Sequence, residues 1–449
     1  MVDLMVSEQQ SGTAEKGVPA GFKLTEVGII PEDWECKYLG ELGDIVRGGS
    51  PRPAGDPKYF EGDFIPWLTV ASLTTIPDAQ QIVMATSSML TELGSMHSRT
   101  LEKGTLIISN SGATLGVAKL LGIKCCANDG VAAIINQRIG NKSFLIHYIN
   151  TITKSLHDKI ATGNGQPNLN TDLIRLISVP FPNEQEQEKI ADTLSDCDNF
   201  ILKLEQLIAK KLAIKTATMQ QLLTGKTRLR QFALRDDGSV KGYKKSELGE
   251  IPEDWSCINL GELGNCIIGL TYKPEDTSDY GILVLRSSNI QNNHLAYDDN
   301  VFVSIEPPER TIVKEGDILV CVRNGSRQLI GKCALIDKNA QGSAFGAFMS
   351  IFRTDIYEFI FHQFQSNVIQ KQIAEIMGAT INQITNKDML GFKIPLPENK
   401  EEQTAIAAIL SDMDKEIQTL QQRLDKTRQL KQGMMQELLT GKTRLIERN

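Results

Sequence analysis

The chain has 449 residues, of which 41% are hydrophobic and 23% charged, with eight cysteines and a formal net charge of −7. This balance excludes a disordered chain, and no apolar run approaches the roughly 18 residues that span a bilayer. The acidic total argues against a simple binder of nucleic-acid backbones, which should be basic.

The start, Met-Val-Asp-Leu-Met-Val, lacks the basic flank and apolar core of a signal peptide, so residues 1–25 are expected to be a flexible lead-in. Cys125 and Cys126 are adjacent and no Cys-x-x-Cys pair occurs, which disfavours a disulfide framework or a zinc ribbon. Buried thiols in a reducing cytoplasm fit better.

Glu-Val-Gly-Ile-Ile-Pro-Glu-Asp-Trp opens at Glu26 and returns as Glu-Leu-Gly-Glu-Ile-Pro-Glu-Asp-Trp at Glu247. Each copy continues into Leu-Gly-Glu-Leu-Gly, at 39–43 and 260–264. Leu-Leu-Thr-Gly-Lys-Thr-Arg-Leu at 222–229 likewise returns at 438–445. Length alone predicts about three domains. The repeat sharpens this to two halves with matching frames and divergent middles.

In chain order, the first middle holds β-like runs at 106–109 and 131–135, a helix over 144–160 and a proline-bounded strand at 179–182. The second holds β-like runs at 282–285, 318–322 and 348–352, a helix over 357–377 and a strand at 394–397. Each half then enters a long helix. Asn183 can cap the first, and glutamates enrich its opening turn.

A heptad seam follows as Ile190, Leu194, Cys197, Ile201, Leu204 and Ile208, and again as Ile406, Leu410, Met413, Ile417, Leu420 and Leu424. Further on the seam turns polar at Lys211 and Lys215, and at Thr427 and Lys431, and the apolar stripe is expected to shift to Leu212, Met219, Leu430 and Met435. A glycine ends each helix. The fold class is therefore α/β (α+β), with two globular domains joined by two long helices packed as an antiparallel coiled coil, pseudo-twofold symmetric. The boundaries are a lead-in at 1–25, a domain at 26–182, a helix at 183–229, a linker at 230–246, a domain at 247–397 and a helix at 398–449.

Gly225-Lys226-Thr227 and Gly441-Lys442-Thr443 mimic the end of a phosphate loop, but Gln220 and Gln436 replace the required glycine and the triplet follows a helix. Both departures argue against nucleotide binding there. Lys226, Arg228, Lys442 and Arg444 are read as helix-end charges or a docking surface, together with Leu222, Leu223, Leu438 and Leu439.

Polar loops carry the candidate DNA contacts, because Arg reads guanine, Asn and Gln read adenine, and Ser or Thr reaches bases and phosphates. In the first half these are Arg47, Ser50, Arg52, Lys58, Thr69, Ser72, Ser109, Asn110, Ser111, Thr114, Asn164, Gln166, Asn168 and Asn170. In the second they are Thr271, Tyr272, Lys273, Arg286, Ser287, Asn289, Arg323, Asn324, Ser326, Arg327, Gln328, Asn382, Gln383 and Thr385. The loop at 109–114 is matched with that at 323–328. No methylation motif, metal spacing or clustered histidine set is present, which favours a binder over an enzyme. A scaffold that reads no sequence is the second hypothesis and a self-sufficient DNA enzyme the third.

The ordered, twice-repeated set resembles the specificity subunit of type I restriction-modification systems. It comprises Ile-Pro-x-x-Trp, Lys103–Leu106 and Glu315–Leu319 before the polar loops, the Pro-x-Pro exits, Gln187 and Gln403 at the helix starts, and Leu-Leu-Thr-Gly-Lys. The resemblance runs from about Glu26 to the end. It implies two target recognition domains on double-stranded DNA, each reading one half-site, with half-sites about 10 bp apart and the helices as a ruler. It implies two methyltransferase subunits holding S-adenosylmethionine, restriction and translocase subunits beyond them, and no cofactor or catalysis in this chain. The acids Asp276, Asp279, Asp298, Asp299, Glu306 and Glu309 should then face away from DNA.

Overall fold

Alternating apolar residues build two similar sheets, each covered on both faces. A computed structural model describes residues 17–112, 114–160, 169–377 and 382–445. They form two compact units: unit 1 is Met1–Leu207 with Gln421–Asn449, and unit 2 is Ile208–Leu420.

In unit 1 the central strands are Asp44–Arg47, Val131–Ile135, Leu106–Ser109 and Ala118–Leu121, all antiparallel neighbours, with Ile82–Val83 parallel at one edge. Side chains two apart share a face. Leu106, Ile108 and Ile134 therefore pack with Phe144 and Ile149 of the helix Lys142–Ile160. Ile107, Val131 and Ala133 point the other way, onto Leu68, Leu101 and Cys125.

Unit 2 repeats the plan with Asn265–Ile268, Met349–Arg353, Ile318–Cys321 and Cys333–Leu335. Ile318 and Val320 join Phe359 and Phe364, while Leu319 and Cys321 join Leu285 and Phe345. The expected helix over 357–377 is two helices, Tyr357–Gln365 and Asn367–Ile376. Ser366 between them is extended, at ψ 155°.

The segments expected to be loose are paired. Phe22–Thr25, inside the expected lead-in, forms a hairpin with Gly28–Pro31. Tyr243–Ser246, inside the expected linker, pairs with Gly249–Pro252, and Leu234 bridges Val240. Each hairpin uses the Ile-Pro strand of the repeated motif as its partner. The exit strands Ser178–Phe181 and Lys393–Pro397 pair with Glu35–Tyr38 and Trp255–Asn259.

The long helices are Glu184–Leu222 and Lys400–Leu438. The Asn183 side chain accepts from the Glu186 amide at 2.9 Å, as expected of a cap, and Asn399 accepts from Glu401 at 2.8 Å. The compact units do not follow the domain boundaries drawn from sequence. Each helix contributes its first part to one unit and its last part to the other.

Within each unit the two helix segments run in opposite directions. In unit 1 Asp198 meets Lys431 at 2.5 Å, and Glu205 meets Arg428 at 2.7 Å. In unit 2 Lys215 meets Asp414 and Lys211 meets Glu416, both at 2.6 Å. The expected shift of the apolar stripe holds only in part: Met219 is buried and Met435 packs on the core around Trp34, whereas Leu212 and Leu430 are 47% and 61% exposed. The seam continues through Lys215 and Lys431, because each finds a carboxylate on the facing segment.

The repeated motifs meet in space. In unit 2 Arg228 holds Asp254 and Glu402, each at 2.6 Å, and lies over the Trp255 ring. Trp255 Nε1 donates to the same Glu402 at 3.2 Å. In unit 1 Arg444 holds Asp33 and Glu186, Trp34 Nε1 donates to Glu186 at 3.0 Å, and Arg444 lies over the Trp34 ring. The tail of each repeat thus closes against the opening motif of the other, and Arg228 and Arg444 are internal ties, not a docking surface.

Gly225 and Gly441 turn into these ties at φ +69°, and a Cβ there would overlap Pro252 and Pro31 respectively. Gly225→Ala is expected to cost at least about 1–2 kcal/mol from the left-handed backbone alone. Gly433→Ala, inside the second long helix with open space around it, should be neutral or stabilising. Thermal denaturation of the two variants side by side checks this.

Candidate nucleic-acid interface

In unit 2 the strand ends carry several of the predicted loops to one place. Thr271, Tyr272, Arg286 and Ser287 line an open cleft of about 710 Å³, together with Ser288, Asp299 and residues 346–349. Asn324 joins the group by donating from Nδ2 to Ser287 Oγ at 3.0 Å. Arg323 lies over the Phe348 ring, 5.2 Å from its centroid. Gln383 bridges Arg323 through the backbone, and Asn382 Nδ2 donates to the Gly325 carbonyl at 3.0 Å.

Several candidates there serve the fold. Asn289 is fully buried and its amide is bound to the carbonyls of Ala296 and Asp299. Arg327 caps the end of a helix through the Met377 carbonyl at 2.8 Å, and the Ser326 amide donates to Asn324. Thr385 caps the helix Asn386–Leu390, and the Lys273 amide donates to Asp276. Gln328 is exposed and has no role in the cleft lining. Asp299 does not face away as expected: it lines the cleft and pairs with Arg286 at 2.9 Å.

Unit 1 gathers its polar loops around Asp129, which the sequence reading passed over. Arg47 Nε donates to the Asp129 carbonyl and Ser50 Oγ to its carboxylate, both at 2.6 Å. Arg52 stands 3.5 Å from the carboxylate. The Ser50 hydroxyl holds this carboxyl below its ordinary range; burial opposes it, and the residue's own amide, Arg47 and Arg52 add smaller effects in the same direction as Ser50. Arg99 reaches the Arg47 carbonyl at 2.7 Å. The only sequence signal for this centre was the turn tripeptide Asn128-Asp129-Gly130 between two strands.

Several other candidates in unit 1 are structural. Ser109 and Asn110 are fully buried: Ser109 accepts from the Val117 amide, and Asn110 donates to the Asp129 carbonyl at 3.2 Å. Thr69 caps the short helix Val70–Thr74 by accepting from Ser72, which is buried. Asn170 caps Thr171–Arg175. Lys58 pairs with Asp56 on a separate short helix, Pro57–Phe60. Thr114 is half-buried and Ser111 sits beside Gly130. Asn164, Gln166 and Asn168 lie outside the described residues.

The loops also correspond in a different register from the one expected. Asn110 donates to the Gly130 carbonyl and accepts from Leu169; Val322 donates to the Phe348 carbonyl and accepts from Ile384. Ser111 therefore matches Arg323, and Gly130 matches Phe348.

The docking leucines are corrected too. Leu222 and Leu223 are buried in the core around Trp255, and Leu438 and Leu439 in that around Trp34. Lys226 and Lys442 are exposed. Among the described residues no group of His, Cys, Asp and Glu could hold a metal, and no helix is long and apolar enough to cross a membrane.

The arrangement defines a duplicated α/β protein in which each unit presents one polar loop cluster on a helix-tied frame. The chain belongs to the family of the type I restriction modification DNA specificity domain, whose model matches residues 31–214 and again 252–428. It is 25% identical over 430 residues to the type I restriction enzyme MjaVIII specificity subunit of Methanocaldococcus jannaschii, covering 94% of this chain and 95% of the other. It is 26% identical over 453 residues to the putative MjaX specificity subunit of the same organism, covering 94% and 97%. Its fold is similar to the crystal structure of a type I restriction-modification S subunit from M. genitalium, with a TM-score of 0.57, 16% identity and coverage of 93% and 97%.

Proposed function

We propose that this chain is the DNA-sequence-recognising subunit of a type I restriction-modification complex, with each unit reading one half of a bipartite site in double-stranded DNA. The observation that carries the reading is the pairing of a repeated frame with unlike loop clusters. Asp129 with Arg47, Ser50 and Arg52 occupies one, and the cleft with Tyr272, Arg323 and Phe348 the other.

Family membership supports the rest of the reading. The chain is non-catalytic and works in the cytoplasm. Two methyltransferase subunits bind S-adenosylmethionine and dock on the helical frame, and restriction subunits join them. The opposed helix segments, tied by Asp198–Lys431 and Lys215–Asp414, support an antiparallel coiled coil with pseudo-twofold symmetry that sets the spacing of the half-sites.

Exchanging residues 36–173 for the matching segment of a relative with a different site tests this. One half of the methylated sequence should change to that of the donor, while the other half and the gap stay fixed. A scaffold that reads no sequence would leave the methylated positions untouched by the exchange.

A further inference from the structure

Phe348 lines the unit 2 cleft yet is 59% exposed. The Arg323 guanidinium lies 5.2 Å from its ring centroid, and the Arg323 amide donates to the Phe348 carbonyl at 3.1 Å. Nearby arginines are engaged: Arg286 by Asp299, Arg310 by the Ile268 carbonyl and Arg327 by the Met377 carbonyl. The Arg323 guanidinium has the ring as its contact and no acceptor among the described residues. Stacking on an aromatic face holds a guanidinium flat and leaves its fork of N–H donors free. Guanine presents O6 and N7 side by side in the major groove, the acceptor pair that fork fits.

We propose that Arg323, held on Phe348, reads a guanine in the half-site contacted by unit 2, and that the matching positions of unit 1 do not carry this reader. This rests on the DNA-reading function proposed above. The matching positions in unit 1 are Ser111 and Gly130. A Cβ at Gly130 would stand 2.5 Å from Val70 Cγ2 and 3.0 Å from Ser111 Oγ, so that place is closed to an aromatic platform. Unit 1 presents the Asp129 cluster instead, so the arginine held on an aromatic ring at this place in the fold belongs to unit 2.

The test uses the full chain, purified with the subunits it retains, and selects from duplexes randomised over both half-sites. In Arg323→Lys the preference for guanine at one position of one half-site should fall about ten- to a hundredfold, because the point charge remains but the fork is lost. Every other position should be unchanged, and the salt dependence should keep its slope. Phe348→Leu should weaken the same position, because the platform goes while the guanidinium stays. A guanine preference that survives Arg323→Lys undiminished would mean that another group reads the base, and an equal weakening across all sequences would mean a phosphate contact; either overturns the assignment with the DNA-reading function intact. A wild-type complex that selects no sequence overturns that function, and this assignment with it.

Discussion

Arg228→Ala should lower the stability of unit 2 by about 3–5 kcal/mol, the cost of removing one partner from a buried ion pair. The Arg228 and Glu402 side chains are 6% and 1% exposed, so water cannot take over the carboxylate. Glu402 would keep one contact from Trp255 Nε1, and Asp254 one from Lys241 at 2.8 Å. Trp255 is the sole tryptophan of unit 2, so its emission during denaturant unfolding reports this unit directly. Arg444→Ala should cost unit 1 less, because the Arg444 and Asp33 side chains are 27% and 61% exposed and partly screened. Arg228→Ala combined with Glu402→Gln should be milder than the sum of the two singles, since the stranded charge is then gone. A loss below about 1 kcal/mol for Arg228→Ala would mean that the tie is ornamental.

How far the sequence disclosed this structure depends on the range of the contact. Repetition marked the frame, and local pattern placed the helices, the exit strands and the cap at Asn183. It could not show that Arg228 meets Glu402 across 174 residues, or Arg444 meets Glu186 across 258. The tails therefore looked like free surface, and Leu222, Leu223, Leu438 and Leu439 looked available for docking. Lys215 and Lys431 read as breaks in the seam for the same reason, since their carboxylates lie on the other helix.

The loop clusters were legible as places but not residue by residue. A short polar side chain can serve its own backbone, as Asn110, Asn289, Thr69 and Asn170 do. Phe348 was missed because an exposed aromatic next to a strand reads as core.

Acidification should unfold both units through two matched histidines. His147 and His362 are buried, and burial pushes each down to about 3, with the charge of Lys431 adding at the first and of Lys215 at the second. The folded state keeps them neutral, while the unfolded chain takes up protons near its ordinary value of about 6.5. Stability from this source is therefore intact above pH 6.5 and declines as the pH falls from there towards 3. The expected loss is about 1.4 kcal/mol per histidine by pH 5.5 and about 2.7 by pH 4.5. In unit 1 Asp198 works against it, because burial raises that carboxyl despite Lys431, and protonation relieves it. The decline should therefore be steeper in unit 2, where His362 bonds Ser411 at 3.0 Å and stands 4.0 Å from Asp414. Trp255 emission in denaturant at pH 7.5, 5.5 and 4.5 measures it. His362→Gln, which can keep the bond to Ser411, should flatten the dependence of unit 2 and leave that of unit 1 as it was. An unchanged slope in His362→Gln would assign the acid sensitivity to the surface carboxylates instead.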